Sequence, residues 1–309
     1  MTSPSPSPSR RFHTLDVFTH EALAGNPLAV VLDASGLDTA AMQKIAGEFN
    51  LSETVFVLPG SDSHRADIRI FTPGAELPFA GHPTVGTAVL LAALDGLAPG
   101  GETAFVLGEK AGPVPCRVTR DAAGRYEAQF EAPRMPAELG PAPDPAQLAG
   151  VLGLELRDIG FDRHRPSRFG APVSFCYVPV KTREAMARIR VDTRWFAETF
   201  AAIADDHPAI FAYSRETVDP EAGFHARMFA PGLGIAEDPA TGSAAAAFAG
   251  VLAAREGFAD GSHAVVIEQG YEMGRPSRIR LGLTLAAGRV SAVTIGGGAV
   301  ILTEGRMFL

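Results

Sequence analysis

Apolar residues along this chain fall into many short runs broken by turn residues, and in two places they close into solid blocks. Residues 85–94 (VGTAVLLAAL) and 244–254 (AAAAFAGVLAA) are apolar on nearly every face. A helix that is hydrophobic all round is a buried one, and runs this short fall well below the ~20 residues that span a bilayer. Asp38 opens a further helix through Phe49, in which Met42, Ile45, Ala46 and Phe49 keep helical spacing. Two more helices are predicted near 145–152 and 193–204. The remaining apolar stretches read as strands. In the first half these are 12–19, 28–32, 54–58, 66–71, 103–107, 114–119 and 126–130, with Gly25-Asn26-Pro27 as the first turn. In the second half they are 174–179, 209–213, 264–269, 278–283, 289–294 and 299–303. No strand–helix–strand alternation develops. One very apolar helix per half among many short strands predicts an α+β fold of two pseudo-symmetric domains. Each would be a curled mixed or antiparallel sheet around a central buried helix.

The two halves also share text. Residues 69–74 read RIFTPG and 227–232 read RMFAPG, 158 positions apart (227 − 69 = 158), and each is followed by one of the apolar blocks. A repeat at this period means two related units. Proline is favoured at the first helical position, so Pro83 and Pro239 predict His82 and Asp238 as the N-caps. Asp is among the best caps and His a poor one, which leaves His82 with less structural reason to be there. Two helix starts from two related units can build one anion site, with backbone N–H groups from Gly81 to Thr84 and from Thr241 to Ser243.

The proline-rich stretch 132–146 is the expected junction, giving domains 12–131 and 132–297, with 298–309 free to return to the first. Residues 1–11, a Ser-Pro alternation ending in two arginines, read as a flexible tail. They lack the apolar core of a secretory signal, so a cytoplasmic location is expected. A net charge of −8 without any basic, aromatic-interleaved run argues against nucleic acid as a partner, and no membrane partner is expected. Cys116 and Cys176 are isolated, reading as buried thiols, and no histidine pair has metal-ligand spacing, so no metal is expected. Gly296-Gly297-Gly298 reads as a bend rather than a phosphate loop.

Glu53 stands where a loop enters an apolar strand. Partial desolvation there raises a carboxyl pKa towards neutrality, which suits a group that takes and returns a proton, and a surface position at a strand start stays the alternative. Ser243 lacks the G-x-S-x-G setting of a nucleophile and suits an anion-holding role in a first helical turn.

Gly25-Asn26-Pro27, the NLSE of 50–53, FTPGAELPFAGHPTVGTA from Phe71 and MFAPGLGIAEDPATGSAA from Met228 resemble the PhzF-like phenazine-biosynthesis family, of the diaminopimelate-epimerase-like superfamily. The resemblance spans nearly the whole chain after the tail. It implies an active site in the cleft between two similar domains, a homodimer and no cofactor. It implies Glu53 as proton shuttle, His82 and Asp238 beside the substrate, and Asn26, Gly81, Thr84, Thr241, Gly242 and Ser243 as binding positions. Superfamily members with paired cysteines at the helix starts use them as base and acid; here those places carry His82 and Asp238. The reaction implied is an isomerisation by one carboxylate, as in the family's conversion of trans-2,3-dihydro-3-hydroxyanthranilate. The partner is a small carboxylate whose identity the motifs leave open, with cleft walls expected from 166–174 and 213–224. A member binding a small carboxylate or a protein without turnover is the alternative.

Overall fold

A computed structural model describes residues 9–61, 63–171, 173–201, 203 and 208–309. The first half runs β1 (Ser9–Val17), β2 (Asn26–Val31), α1 (Thr39–Phe49), β3 (Glu53–Pro59), β4 (Ala66–Phe71), β5 (Glu76–Leu77), α2 (Gly81–Leu94), β6 (Glu102–Glu109), β7 (Gly112–Arg120) and β8 (Tyr126–Glu131). The second runs β9 (Ala137–Glu138), α3 (Pro145–Leu152), β10 (Ser167–Gly170), β11 (Ser174–Pro179), α4 (Arg183–Arg188), α5 (Thr193–Phe200), β12 (Ile210–Ser214), β13 (Phe224–Ala230), β14 (Ile235–Asp238), α6 (Gly242–Arg255), β15 (Gly261–Gln269), β16 (Ser277–Ala286) and β17 (Arg289–Phe308).

The halves repeat one pairing scheme. β2 runs parallel to β3, β3 antiparallel to β4, and β4 both antiparallel to β5 and parallel to β6. β11, β12, β13, β14 and β15 stand in the same relations. In each half the buried helix falls between the short strand and the next parallel one. α2 is buried from Gly81 to Ala92, packed against β1, β2, β3, β6, β7, β8 and β17. α6 is packed against β9, β10, β11, β16 and β17. Because every face of these helices is apolar, only a sheet curled round them removes that surface from water. One hydrophobic core takes in both helices. α1 covers a second cluster outside the first sheet, and α3, α4 and α5 a third outside the second.

The repeated hexapeptide has a structural job. Arg69 grips Glu76 with two hydrogen bonds of 2.8 and 2.9 Å and lies over Phe71 at 5.1 Å. Arg227 grips Glu237 with two of 2.8 Å and lies over Phe229, also at 5.1 Å. A guanidinium pairs with a carboxylate in this two-pronged way and stacks on a ring with its flat face. Each motif thereby locks its strand to the short strand that leads into the buried helix.

Four expectations about the elements need correction. The first strand begins at Ser9, so Arg10 and Arg11 pair with Met307 and Arg306 rather than belonging to a tail; residues 1–8 lie outside the described set. Gly296–Gly298 is not a bend. It continues β17, and glycine is needed there because a side chain at 297 would strike Phe18 and one at 298 would strike His20. β17 is thus one long strand that leaves β16, runs along β8 and ends along β1. The helix starts are also shifted. α2 begins at Gly81 with Ala80 as its cap, and α6 at Gly242 with Thr241 as its cap. His82 and Ser243 are therefore the equivalent residues, second in each helix (243 − 82 = 161), while Asp238 closes β14 and caps nothing. Three extra residues around Gly234 move the second copy out of step with the proline pattern. The predicted helix 193–204 ends at Phe200, and 202 and 204 lie outside the described residues.

Candidate active site

Gly81 and Gly242 touch. A Cβ built on Gly81 would fall 2.7 Å from the Cα of Gly242, so the two buried helices meet start to start. No other residue type allows that approach. Neither helix has a side-chain cap, so the partial positive charge of both first turns is left for another group to answer. The meeting point is lined by Glu53, Thr72, Gly81, His82, Asp238, Thr241, Gly242 and Ser243.

Four polar side chains reach this point from four elements. Glu53 is the first residue of β3 and Asn26 the first of β2, while His82 enters from α2 and Asp238 from the end of β14. All four are buried. The Asn26 amide nitrogen donates to Asp238 Oδ1 at 2.9 Å and to the Ala240 carbonyl at 2.8 Å, and faces His82 Nδ1 at 3.2 Å. An amide NH₂ only donates, so Nδ1 is the bare nitrogen of His82 and Nε2 carries the hydrogen. That Nε2 lies 3.3 Å from Glu53 Oε2. Burial lowers the His82 pKa to about 3, so the ring is neutral and the contact is not an ion pair.

The two carboxyls differ. Burial raises the Glu53 pKa well above the usual glutamate value, and the charge of Asp238 raises it further. Asp238 is raised only to about 6, because hydrogen bonds from Thr241, Asn26 and Ser52 offset much of the burial. Both carboxyls thus ionise less readily than in water, and the charge of Asp238 has more hydrogen-bond support than that of Glu53.

The rest of the lining is mostly apolar: Leu77, Val173, Phe175, Met228, Leu233 and Ile235 among others. The closed space is small, about 70 Å³, and the broader hollows of about 700 and 530 Å³ lie elsewhere on the surface. No residue of 213–224 lines it, in contrast to the expected wall; the 166–174 stretch contributes Val173.

Of the residues singled out in the sequence, Glu53, Asn26, Gly81, His82, Asp238, Thr241, Gly242 and Ser243 come together here. Thr84 does not. As the fourth residue of α2 its N–H bonds back to Ala80, and its hydroxyl reaches Ala80 and Glu109 instead of the cavity. The Thr241 N–H is also taken, by Gln269 Oε1 at 3.1 Å. Sequence reasoning missed Gln269 and Ser52; Ser52 adjoins Glu53, but nothing in the sequence marks Gln269. Cys116 and Cys176 are buried free thiols outside the cavity, with the pKa of Cys176 pushed up to about 12 by burial. Among the described residues no group of three or more His, Cys, Asp or Glu is placed to hold a metal ion.

A family model described as phenazine biosynthesis-like protein (PhzC-PhzF) matches residues 15–305. A protein of Mesorhizobium japonicum named as an uncharacterized isomerase is 49% identical over 97% of this chain and 99% of its own. A trans-2,3-dihydro-3-hydroxyanthranilate isomerase of Pseudomonas aeruginosa is 35% identical over 97% of this chain and 99% of its own. The crystal structure of a PhzF-family phenazine biosynthesis protein from Bacillus anthracis overlays with a TM-score of 0.87 at 27% identity, covering 98% of this chain and all of that one.

Proposed function

The chain belongs to the PhzC-PhzF family of phenazine biosynthesis-like proteins and is an isomerase, and we propose that it moves a proton between carbons of a small unsaturated carboxylic acid. Glu53 is the single acid/base, and no cofactor takes part. The substrate carboxylate sits against the N–H groups of Gly81, His82, Gly242 and Ser243, where two helix starts favour an anion. Glu53 removes a proton from a carbon made acidic by a neighbouring π-system and returns it at another position on the same face. His82 and Asp238 flank the reacting atoms, the neutral imidazole presenting Nε2–H.

The observation that carries this reading is the environment of Glu53. Its Oε2 is buried without a hydrogen-bond partner, faces the cavity and lies beside a neutral histidine. A carboxyl held so costs stability, and catalysis is the use for one whose pKa is raised towards the working range. A protein that merely bound a carboxylate would gain nothing from it. The absence of cysteine from the cavity lining supports proton transfer by a carboxyl instead of a thiol pair. The closed cavity is far smaller than the ~300 Å³ at which ligand pockets begin, so the halves part to admit substrate and close over it. A cytoplasmic homodimer is the form in which we place it.

The test is proton exchange. Trans-2,3-dihydro-3-hydroxyanthranilate and a panel of cyclic and unsaturated amino or hydroxy acids are incubated with the protein in D₂O and followed by NMR. Deuterium arriving at a new carbon of one of them, in step with loss of the starting isomer, supports the proposal. Binding measured by thermal shift without exchange on any bound compound would defeat it in favour of a binding role.

A further inference from the structure

Each residue of the 238–241 segment is held by a particular side chain. The Ser277 hydroxyl lies 3.0 Å from the carbonyls of both Pro239 and Arg275, with one hydrogen to give, and Asn26 donates to that of Ala240. The other two are held by Gln269, the last residue of β15 and fully buried. Its amide nitrogen donates to the Asp238 carbonyl at 2.7 Å and to Thr241 Oγ1 at 3.0 Å, while its oxygen accepts from the Thr241 N–H at 3.1 Å. The amide can stand only this way round. Reversed, it would set oxygen against a carbonyl and NH₂ against N–H.

That orientation has a consequence for the acid pair. Thr241 Oγ1 receives a hydrogen from Gln269, and its own single hydrogen goes to its other partner, Asp238 Oδ2, 2.5 Å away. The second carboxylate oxygen, Oδ1, receives from Asn26 and from Ser52 at 3.3 Å. Both oxygens of Asp238 therefore accept hydrogen bonds, which favours the ionised form of that carboxyl. The other ionisable groups near Asp238 are Glu53, His82 and Glu237, and Arg227 already holds Glu237. Glu53 Oε2 makes no hydrogen bond, although His82 Nε2 lies 3.3 Å away.

We propose that Gln269 is a positioning residue that acts through Thr241: it directs a one-way hydrogen-bond chain into Asp238, keeping that carboxyl ionised and leaving the mobile proton to Glu53. The inference rests on Glu53 and Asp238 being the working pair of the proposed reaction. It assigns their unequal roles to a residue that touches neither substrate nor Glu53. A chain with its direction reversed would let Asp238 hold the proton, and the two carboxyls would become interchangeable.

The experiment reads the carboxyls without any substrate, so its outcome is separate from that of the exchange assay. Side-chain carboxyl carbons of Asp and Glu are ¹³C-labelled and titrated by NMR, with Asp238→Asn and Glu53→Gln giving the assignments. In the unaltered protein Asp238 should ionise at lower pH than Glu53. Thr241→Val should raise the Asp238 midpoint by about one pH unit or more, the worth of a hydrogen bond to a charged acceptor. Thr241→Ser should restore it, and Gln269→Leu should move it the same way as Thr241→Val. Glu53 ionising before Asp238 in the unaltered protein overturns the proposal, and that reading needs no variant to fold. An Asp238 midpoint unmoved in Thr241→Val overturns it equally.

Discussion

Asn26 and Asp238 are 212 positions apart in the chain and are joined by a 2.9 Å hydrogen bond at the place where the two buried helices begin. Around that bond the halves are fitted so closely that their glycines touch, and the acid pair depends on the fit.

Gly81→Ala puts a methyl group where the backbone of Gly242 lies, with no side chain free to yield. The helix starts must move apart, at about 1–3 kcal/mol, the usual cost of overpacking. Thermal melts should show the loss, with turnover falling as the cleft loses its closed geometry. Gly74→Ala, at a position with open space around it, should change neither.

Glu53→Gln should lower turnover on a confirmed substrate by about 10²–10⁴, the share of a positioned acid/base, while fold and ligand binding stay intact. Retained exchange activity in this variant would end the case for Glu53.

Glu109 makes a pH prediction. Thr84 Oγ1 lies 2.7 Å from both the Ala80 carbonyl and Glu109 Oε1, with one hydrogen to give. If that hydrogen goes to Ala80, Glu109 must supply its own, and burial does raise its pKa to about 8. A folded-state value above the unfolded one means that stability is whole below the ordinary 4.5 and is lost as pH climbs through about 8. Glu109→Gln removes this dependence. Urea midpoints should therefore favour the variant increasingly between pH 5 and 8.5, and equal slopes for both proteins would count against it.

The repeated ion pairs should differ in worth. The Arg227 side chain keeps 5% of its surface in solvent and that of Arg69 26%. Arg227→Met strands Glu237 and should cost about 3–5 kcal/mol, as breaking a buried pair does. Arg69→Met should cost clearly less in the same chemical-denaturation assay, because Lys110 stays 3.6 Å from the abandoned Glu76.

The sequence alone determined what depends on which faces are apolar and on a short stretch of backbone. Two blocks without a polar face had to be buried helices, RIFTPG and RMFAPG had to mark related units, and Glu53 had to open a strand. It misled wherever a local rule met a tertiary demand. Proline suggested that His82 and Asp238 were equivalent caps, but the contact between Gly81 and Gly242 sets the helix starts, and His82 answers to Ser243. Three glycines suggested a bend, but the rings of Phe18 and His20 need that space beside an unbroken strand. The direction of the chain from Gln269 through Thr241 to Asp238 could be decided only by the tertiary structure. A hydrogen bond's direction follows from every partner its atoms meet, and these partners come from β2, β14, β15 and the loop before β3, which share no local pattern in the sequence.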